Sequence, residues 1–197
     1  MTWQAAWEES RTPWDAGQSP PILTELVTAG TLPNGRALVT GAGSGYDVRT
    51  LATAERAVTG IDLSPVAKQR FDSLSADHPH RGQLDYVVGD LFAYAPAEPF
   101  DMVWDYTCLC ALEPQMRADW AAAMHRLLHP TRGELVALIF PVVPGKDPTQ
   151  GPPYPMTTEL VERLVSAHFE TVSIEPVERS HPGREGKEWL GRFRRRG

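Results

Sequence analysis

Apolar residues along this chain fall into two patterns, short unbroken runs and longer stretches with a repeat of three to four. The runs Arg36–Thr40, Ala57–Leu63, Leu84–Val88, Phe100–Tyr106 and Glu134–Pro141 are bounded by glycine, proline or aspartate and read as strands. Helical spacing separates them. It is seen at Ile22, Leu23, Leu26 and Val27, in a helix that should stop near Gly30, and again over Tyr46–Ala54, from Ser64 to Leu74, from Gln115 to Leu128 and over Thr157–Ala167. Ser64 suits an N-cap and Pro65 the first helical position. Unbroken apolar strands alternating with helices predict an α/β fold with a mainly parallel sheet covered on both faces. Thr171–Val177 and Trp189–Arg195 are predicted as an antiparallel pair ending that sheet. At the N-terminus, Trp3 and Trp7 lie four apart in the segment Thr2–Ser10, hence on one face of a helix that Arg11-Thr12-Pro13 would end. No internal repeat or linker is evident, and 197 residues suit a single domain.

Composition narrows the class. A 42% hydrophobic and 22% charged chain with six tryptophans is expected to fold as a globule. The net charge of -6 is spread along the sequence, so neither nucleic acid nor an anionic membrane is an expected partner. The basic tail Arg192–Arg196 reads as a solvated end or a strand with a charged edge. Cys108 and Cys110 are one residue apart and poorly placed for a mutual disulfide, which suits a reducing compartment. With no apolar run near roughly 18 residues and no charged, apolar leader, a cytoplasmic protein is expected.

Candidate chemistry begins at Gly41-Ala-Gly43-Ser-Gly45, directly after the first strand. Such a turn lets backbone approach a ligand at the carboxyl end of a strand. Asp62 ends the second strand 21 residues beyond Gly41, where a carboxylate can take both ribose hydroxyls of an adenosine. Asp90, after the third strand, offers an acceptor suited to an adenine amino group. The alternatives for both acids are helix N-caps or loop acids. A dinucleotide fingerprint wants glycine where Tyr46 stands, which disfavours pyrophosphate. None of the six histidines falls in a motif or at metal-ligand spacing, although His181 lies in a C-terminal loop that would border a pocket.

With these residues in hand the chain resembles the thiopurine methyltransferase superfamily, and within it the branch of thiol and halide (thiocyanate) methyltransferases. The likeness spans nearly the whole chain. It is carried by Trp3-x-x-x-Trp7, Thr12-Pro13-Trp14-Asp15-x-Gly17, the glycine turn, Gly60-Ile61-Asp62, Gly89-Asp90-Leu91-Phe92 and Phe100-Asp101 with Trp104-Asp105-Tyr106. Further on come Ala111-Leu112-x-Pro114-x-Met116-Arg117, Gly151-Pro152-Pro153-Tyr154 and Gly186-Lys187-Glu188-x-Leu190-Gly191-Arg192. The resemblance implies a class I (Rossmann-like) methyltransferase fold, a seven-stranded mainly parallel sheet with helices on both faces and residues 1–19 forming an N-terminal lid. It implies S-adenosylmethionine as donor, leaving S-adenosylhomocysteine, bound by Trp3, Trp7, Trp14, Gly41, Gly43, Asp62, Asp90, Leu91 and Tyr106. Trp14, Phe140, Tyr154 and Arg192 are the implied acceptor-side residues. Aromatic faces stabilise a sulfonium cation and exclude water, although Trp3 and Trp7 also suit a plain helix anchor.

The expected reaction is in-line methyl transfer to a halide or pseudohalide ion (iodide, bromide, chloride, thiocyanate, bisulfide) or a small thiol. The alternatives are a thiopurine-type enzyme and a non-catalytic nucleotide-binding module. Such nucleophiles need alignment and desolvation rather than an obligatory base. A neutral thiol must still lose its proton, with Tyr106, Tyr154 or solvent as candidate helpers. Phe140 departs from the tyrosine of the plant enzymes, so anion handling should differ there. Cys108 and Cys110 are read as lining rather than nucleophiles. A small-molecule or anion substrate and a monomer are expected.

Overall fold

The computed structural model describes residues 3–197, which cluster into two compact units, one running to Tyr94 and one from Ala95 to Gly197. Thr2, the expected start of the first helix, lies outside the described residues. The first unit holds α1 (Trp3–Glu8), α2 (Pro21–Thr28), β1 (Gly35–Thr40), α3 (Tyr46–Leu51), β2 (Arg56–Asp62), α4 (Pro65–Ser75) and β3 (Leu84–Val88). The second holds β4 (Met102–Tyr106), α5 (Arg117–Leu127), β5 (Glu134–Ile139), α6 (Thr158–Val165), β6 (Phe169–Pro176) and β7 (Trp189–Arg195). The strands make one seven-stranded mixed sheet in the order β3-β2-β1-β4-β5-β7-β6.

In the first unit β1, β2 and β3 are parallel neighbours, with Thr40 opposite Ile61 and Asp62 opposite Val88. That register brings Gly41 and Asp62 off the sheet side by side. The last four residues of β1 are all buried, as parallel strands covered on both faces require. Ser64 caps α4 as predicted, its hydroxyl accepting from Ala67 N at 3.3 Å, with Pro65 behind it.

In the second unit β4 and β5 are parallel and wholly or almost wholly buried, while β7 runs antiparallel to both β5 and β6. Element boundaries moved where proline or a missing ladder intervened. β5 stops at Ile139 because Pro141 has no N–H to extend the pairing. β4 starts at Met102, since Phe100 makes only an isolated bridge with Leu128. Pro114 imposes a tight turn over Pro114–Met116 before α5 begins.

The basic tail is an inner strand rather than a sheet edge, with Arg194 and Arg196 exposed. β7 lies between β5 and β6, where Arg192 pairs with Glu134, Arg195 donates to Leu128 O at 2.7 Å and Arg196 to Phe169 O at 3.0 Å. Its charge meets two carboxylates, Glu134 and, at 3.9 Å from Arg194, Glu170, and the carbonyls of Leu128 and Phe169. Among the described residues no helix is long and apolar enough to cross a membrane, and no group of three or more His, Cys, Asp or Glu could hold a metal ion.

Candidate active site

In the first unit the glycine turn, Asp62 and three tryptophans come together. Gly41, Gly43 and Gly45 all have positive φ, the region open to glycine at little cost. At Gly45 (φ +77°) a Cβ would lie 2.3 Å from Phe71 Cδ2, so the residue is fixed by packing as well as by backbone conformation. A Cβ at Gly43 would meet the Trp7 ring at 3.4 Å, which puts that ring directly over the turn. Trp7 is only 3% exposed. Trp14 stands edge-on to Trp3 and Trp7, with ring centroids 5.0 and 6.1 Å away. Arg70 covers Trp7 with its guanidinium 5.0 Å from the ring centre.

Asp62 holds the turn open from beneath. Its Oδ2 accepts from Gly43 N at 3.0 Å and its Oδ1 from Ser64 N at 2.9 Å. Burial pushes its carboxyl above the usual carboxylate range, against the pull of the backbone N–H groups of Ser64, Gly43 and Leu63. Two further hydrogen bonds tie the turn down. Ser44 Oγ donates to Asp15 at 2.8 Å, and the Tyr86 hydroxyl donates to Gly43 O at 2.7 Å. Asp15 and Tyr86 were not foreseen as site residues. Asp15 carried a signal as part of the Thr-Pro-Trp-Asp run, whereas Tyr86 sits in an ordinary strand. Asp90 is exposed, with Oδ1 accepting from Phe92 N at 2.9 Å, and Leu91 beside it is buried.

The second unit carries a denser polar cluster where β4 and β5 end. Tyr106 closes β4, and its hydroxyl donates to Glu188 Oε1 while accepting from Arg184 Nη1. The Arg184 guanidinium lies 5.2 Å from the centre of the Tyr106 ring and 4.8 Å from that of Phe140. His181 stacks on Tyr106 with centroids 6.4 Å apart and planes 18° from parallel, and Phe140 meets Tyr106 edge-on at 6.4 Å. Burial, together with Glu188, raises the Tyr106 phenol well above its ordinary value. Burial and then the charge of Arg184 lower the His181 imidazole, leaving it neutral at neutral pH.

Behind Tyr106 the chain turns sharply. Asp105 accepts from Leu109 N at 3.1 Å and from Trp120 Nε1 at 2.9 Å. Thr107 is held at φ +67°, a costly conformation for a β-branched residue. This turn forms a small cavity lined by Thr107, Cys110, Ile139, Phe140 and Met156. Both cysteines are free, and burial pushes the Cys110 thiol up to about 12, so it lines the cavity as an inert thiol.

Of the residues expected on the acceptor side, Phe140 meets the Tyr106 ring, Tyr154 lies against Cys110 of the small cavity, and Arg192 lies apart. Tyr154 packs under Arg117, 5.6 Å from its guanidinium, with its N–H on Cys110 O at 2.7 Å. Arg192 requires correction: it opposes Val136, and its Nη2 reaches Glu134 Oε2 at 3.1 Å, at the end of β5 away from Phe140. The cation beside Phe140 is Arg184, from a polar loop in which the sequence gives no periodic signal. Glu188 was quoted only as part of a motif.

The chain is similar to known methyltransferases over most of its length. Residues 1–194 match the family model described as thiopurine S-methyltransferase. Thiocyanate methyltransferase 1 of Arabidopsis thaliana is 41% identical over 194 residues, covering 98% of this chain and 84% of that protein. Thiopurine S-methyltransferase of Bordetella parapertussis is 30% identical over 88% of this chain and 84% of its own. In fold, the chain resembles the Burkholderia thailandensis 1,6-didemethyltoxoflavin-N1-methyltransferase solved with S-adenosylhomocysteine, with TM-score 0.76 and 21% identity over 98% of this chain and 85% of that one. The chain therefore belongs to the thiopurine S-methyltransferase family and is an S-adenosylmethionine-dependent methyltransferase with a class I fold.

Proposed function

We propose that this enzyme methylates small soft nucleophiles, thiols and bisulfide together with thiocyanate and halide ions, and that residues 1–197 work as one methyltransferase domain with residues 1–19 as its lid. The observation that carries the acceptor half is the Arg184 guanidinium held over the faces of Phe140 and Tyr106. A cation among apolar rings favours a large, weakly hydrated anion over a strongly hydrated one. The kinship with a thiocyanate methyltransferase supports the same reading. The free cysteines fit a reducing cytoplasm.

The residues of the first unit fit the donor. A carboxylate has about four acceptor positions, and the backbone N–H groups around Asp62 do not fill them all, which leaves room for a ribose diol. Gly41 and Gly43 allow close backbone approach, Asp90 and Leu91 suit the adenine, and Trp3, Trp7 and Trp14 shelter the bound molecule. When bound, S-adenosylmethionine supplies an electrophilic methyl carbon. Tyr106 has its hydroxyl engaged, so what it offers a sulfonium is its ring. The protein's task is to bind, align and dry the acceptor, which lowers the barrier without a metal ligand or covalent nucleophile.

Purified enzyme with S-adenosylmethionine and iodide, thiocyanate, bisulfide or a thiopurine in turn, followed by S-adenosylhomocysteine formed, tests the reading. Turnover of iodide, thiocyanate and bisulfide is expected. Turnover of the thiopurine alone would place the enzyme with heteroaromatic thiols instead.

A further inference from the structure

Two buried polar atoms beside the Tyr106 cluster lack hydrogen-bond partners among the described residues, Oε2 of Glu188 and Nε2 of His181. Glu188 is 1% exposed and His181 3%. Among the described residues Glu188 has one side-chain hydrogen bond, from a phenol, and a buried carboxylate so thinly satisfied is expensive unless it is used. From this geometry, and resting on the soft-nucleophile reading above, we propose that Glu188 takes the proton of a neutral thiol acceptor through the Tyr106 hydroxyl, a relay that halide ions bypass.

The step balances within the cluster. The S–H bond breaks as its proton binds the Tyr106 oxygen, while the proton already on that oxygen passes to Glu188 Oε1. The result is a thiolate and a neutral carboxylic acid. The thiolate sulfur then forms its bond to the methyl carbon, and the carbon–sulfonium electron pair leaves with the departing thioether. Glu188 returns its proton to solvent once the product has gone. Glu188 acts through Tyr106, so it is a positioning and relay residue rather than one touching the reacting atoms.

The surroundings favour this direction. Arg184 donates to the Tyr106 oxygen, which eases release of the phenol proton toward Glu188, and His181 on the ring face is neutral. Lys187, next in sequence, turns its Nζ to Gly183 O at 2.9 Å. Other candidate bases are engaged or inert: the two carboxylate oxygens of Asp105 hold Leu109 N and Trp120 Nε1, and the Cys110 thiol stays protonated.

The test compares kcat/KM for mercaptoethanol and for iodide across mildly acid to mildly alkaline pH, in wild type, Glu188→Gln and Tyr106→Phe. With the relay, the wild-type thiol-to-iodide ratio stays level below the thiol's own pKa. In both variants the ratio drops about 100-fold in that range and climbs in proportion to the thiolate fraction. The ratio cancels any loss common to both acceptors, and the wild-type profile decides the matter even if a variant fails to fold. A wild-type ratio that already tracks the thiolate fraction, or variants whose ratio stays within about threefold of wild type, overturns the relay alone. Wild-type turnover of neither acceptor overturns the soft-nucleophile reading and the relay with it.

Discussion

Replacing Asp62 with asparagine removes charge from the proposed donor site while keeping the shape of the side chain. In the structure both carboxylate oxygens already accept a backbone N–H, from Gly43 and Ser64. The amide has a single oxygen, so one of those N–H groups must face an NH2 instead. Leaving it unsatisfied costs about 1–3 kcal/mol of stability. The remaining acceptor positions would bond a ribose diol. A charge-assisted bond contributes about 1.5–3 kcal/mol and a neutral one about 0.5–1.5. Losing that difference at two hydroxyls costs about 2–3 kcal/mol, or roughly 30- to 150-fold in S-adenosylhomocysteine affinity. Titration calorimetry measures the affinity and urea denaturation the stability. A folded Asp62→Asn protein that binds S-adenosylhomocysteine within about threefold of wild type would show that the carboxylate only pins the turn. The same titration in wild type carries a pH signature. Because burial raises the Asp62 pKa, donor affinity should fall on acidification sooner than for an ordinary carboxylate. Stability runs the other way: the Asp62 contribution is fully present below the unfolded pKa and is lost as pH rises through the raised folded value.

Gly45→Ala adds a Cβ to a positive-φ residue 2.3 Å from Phe71, which should cost about 2–5 kcal/mol in denaturant unfolding; a loss below about 1 would refute the packing argument. Arg184→Met should raise the KM for iodide by more than about tenfold with S-adenosylhomocysteine affinity little changed. Arg192→Met should instead cost stability by about 1–3 kcal/mol through the unpaired Glu134, with acceptor KM unmoved; the reverse pattern would restore Arg192 to the acceptor side. His181 has a depressed pKa, so its contribution to folding is present above the ordinary imidazole value and is lost as pH falls through the lowered one. His181→Phe should therefore flatten the acid limb of a Tm-versus-pH curve, and an unchanged limb would contradict a buried neutral histidine.

The strands, the glycine turn and the acid that ends β2 were legible because their signals are local. Parallel strands must be apolar throughout, glycines must follow β1, and an acid at the end of β2 leaves the sheet beside them. Ser64-Pro65 announced its helix for the same reason. The acceptor half was less legible. Tyr106 and Phe140 were singled out by the resemblance to thiol and halide methyltransferases, but their polar partners come from a loop far along the chain. Arg184 and His181 sit in Ser180–Gly186, where nothing periodic marks which side chain turns inward. Arg192 looked the better candidate because it lies in the closing motif. Its register in β7 instead delivers the guanidinium to Glu134, a consequence of strand pairing that composition does not reveal.

In the proposed function a soft anion is held beside Arg184 and Phe140 for methylation. Crystals of the S-adenosylhomocysteine complex soaked in iodide, with the ion located by its anomalous scattering, test it most directly. An iodide peak is expected against the Arg184 guanidinium and the Phe140 ring, lost in Arg184→Met crystals. Iodide found only at surface arginines such as Arg194, with none at Phe140, would contradict it.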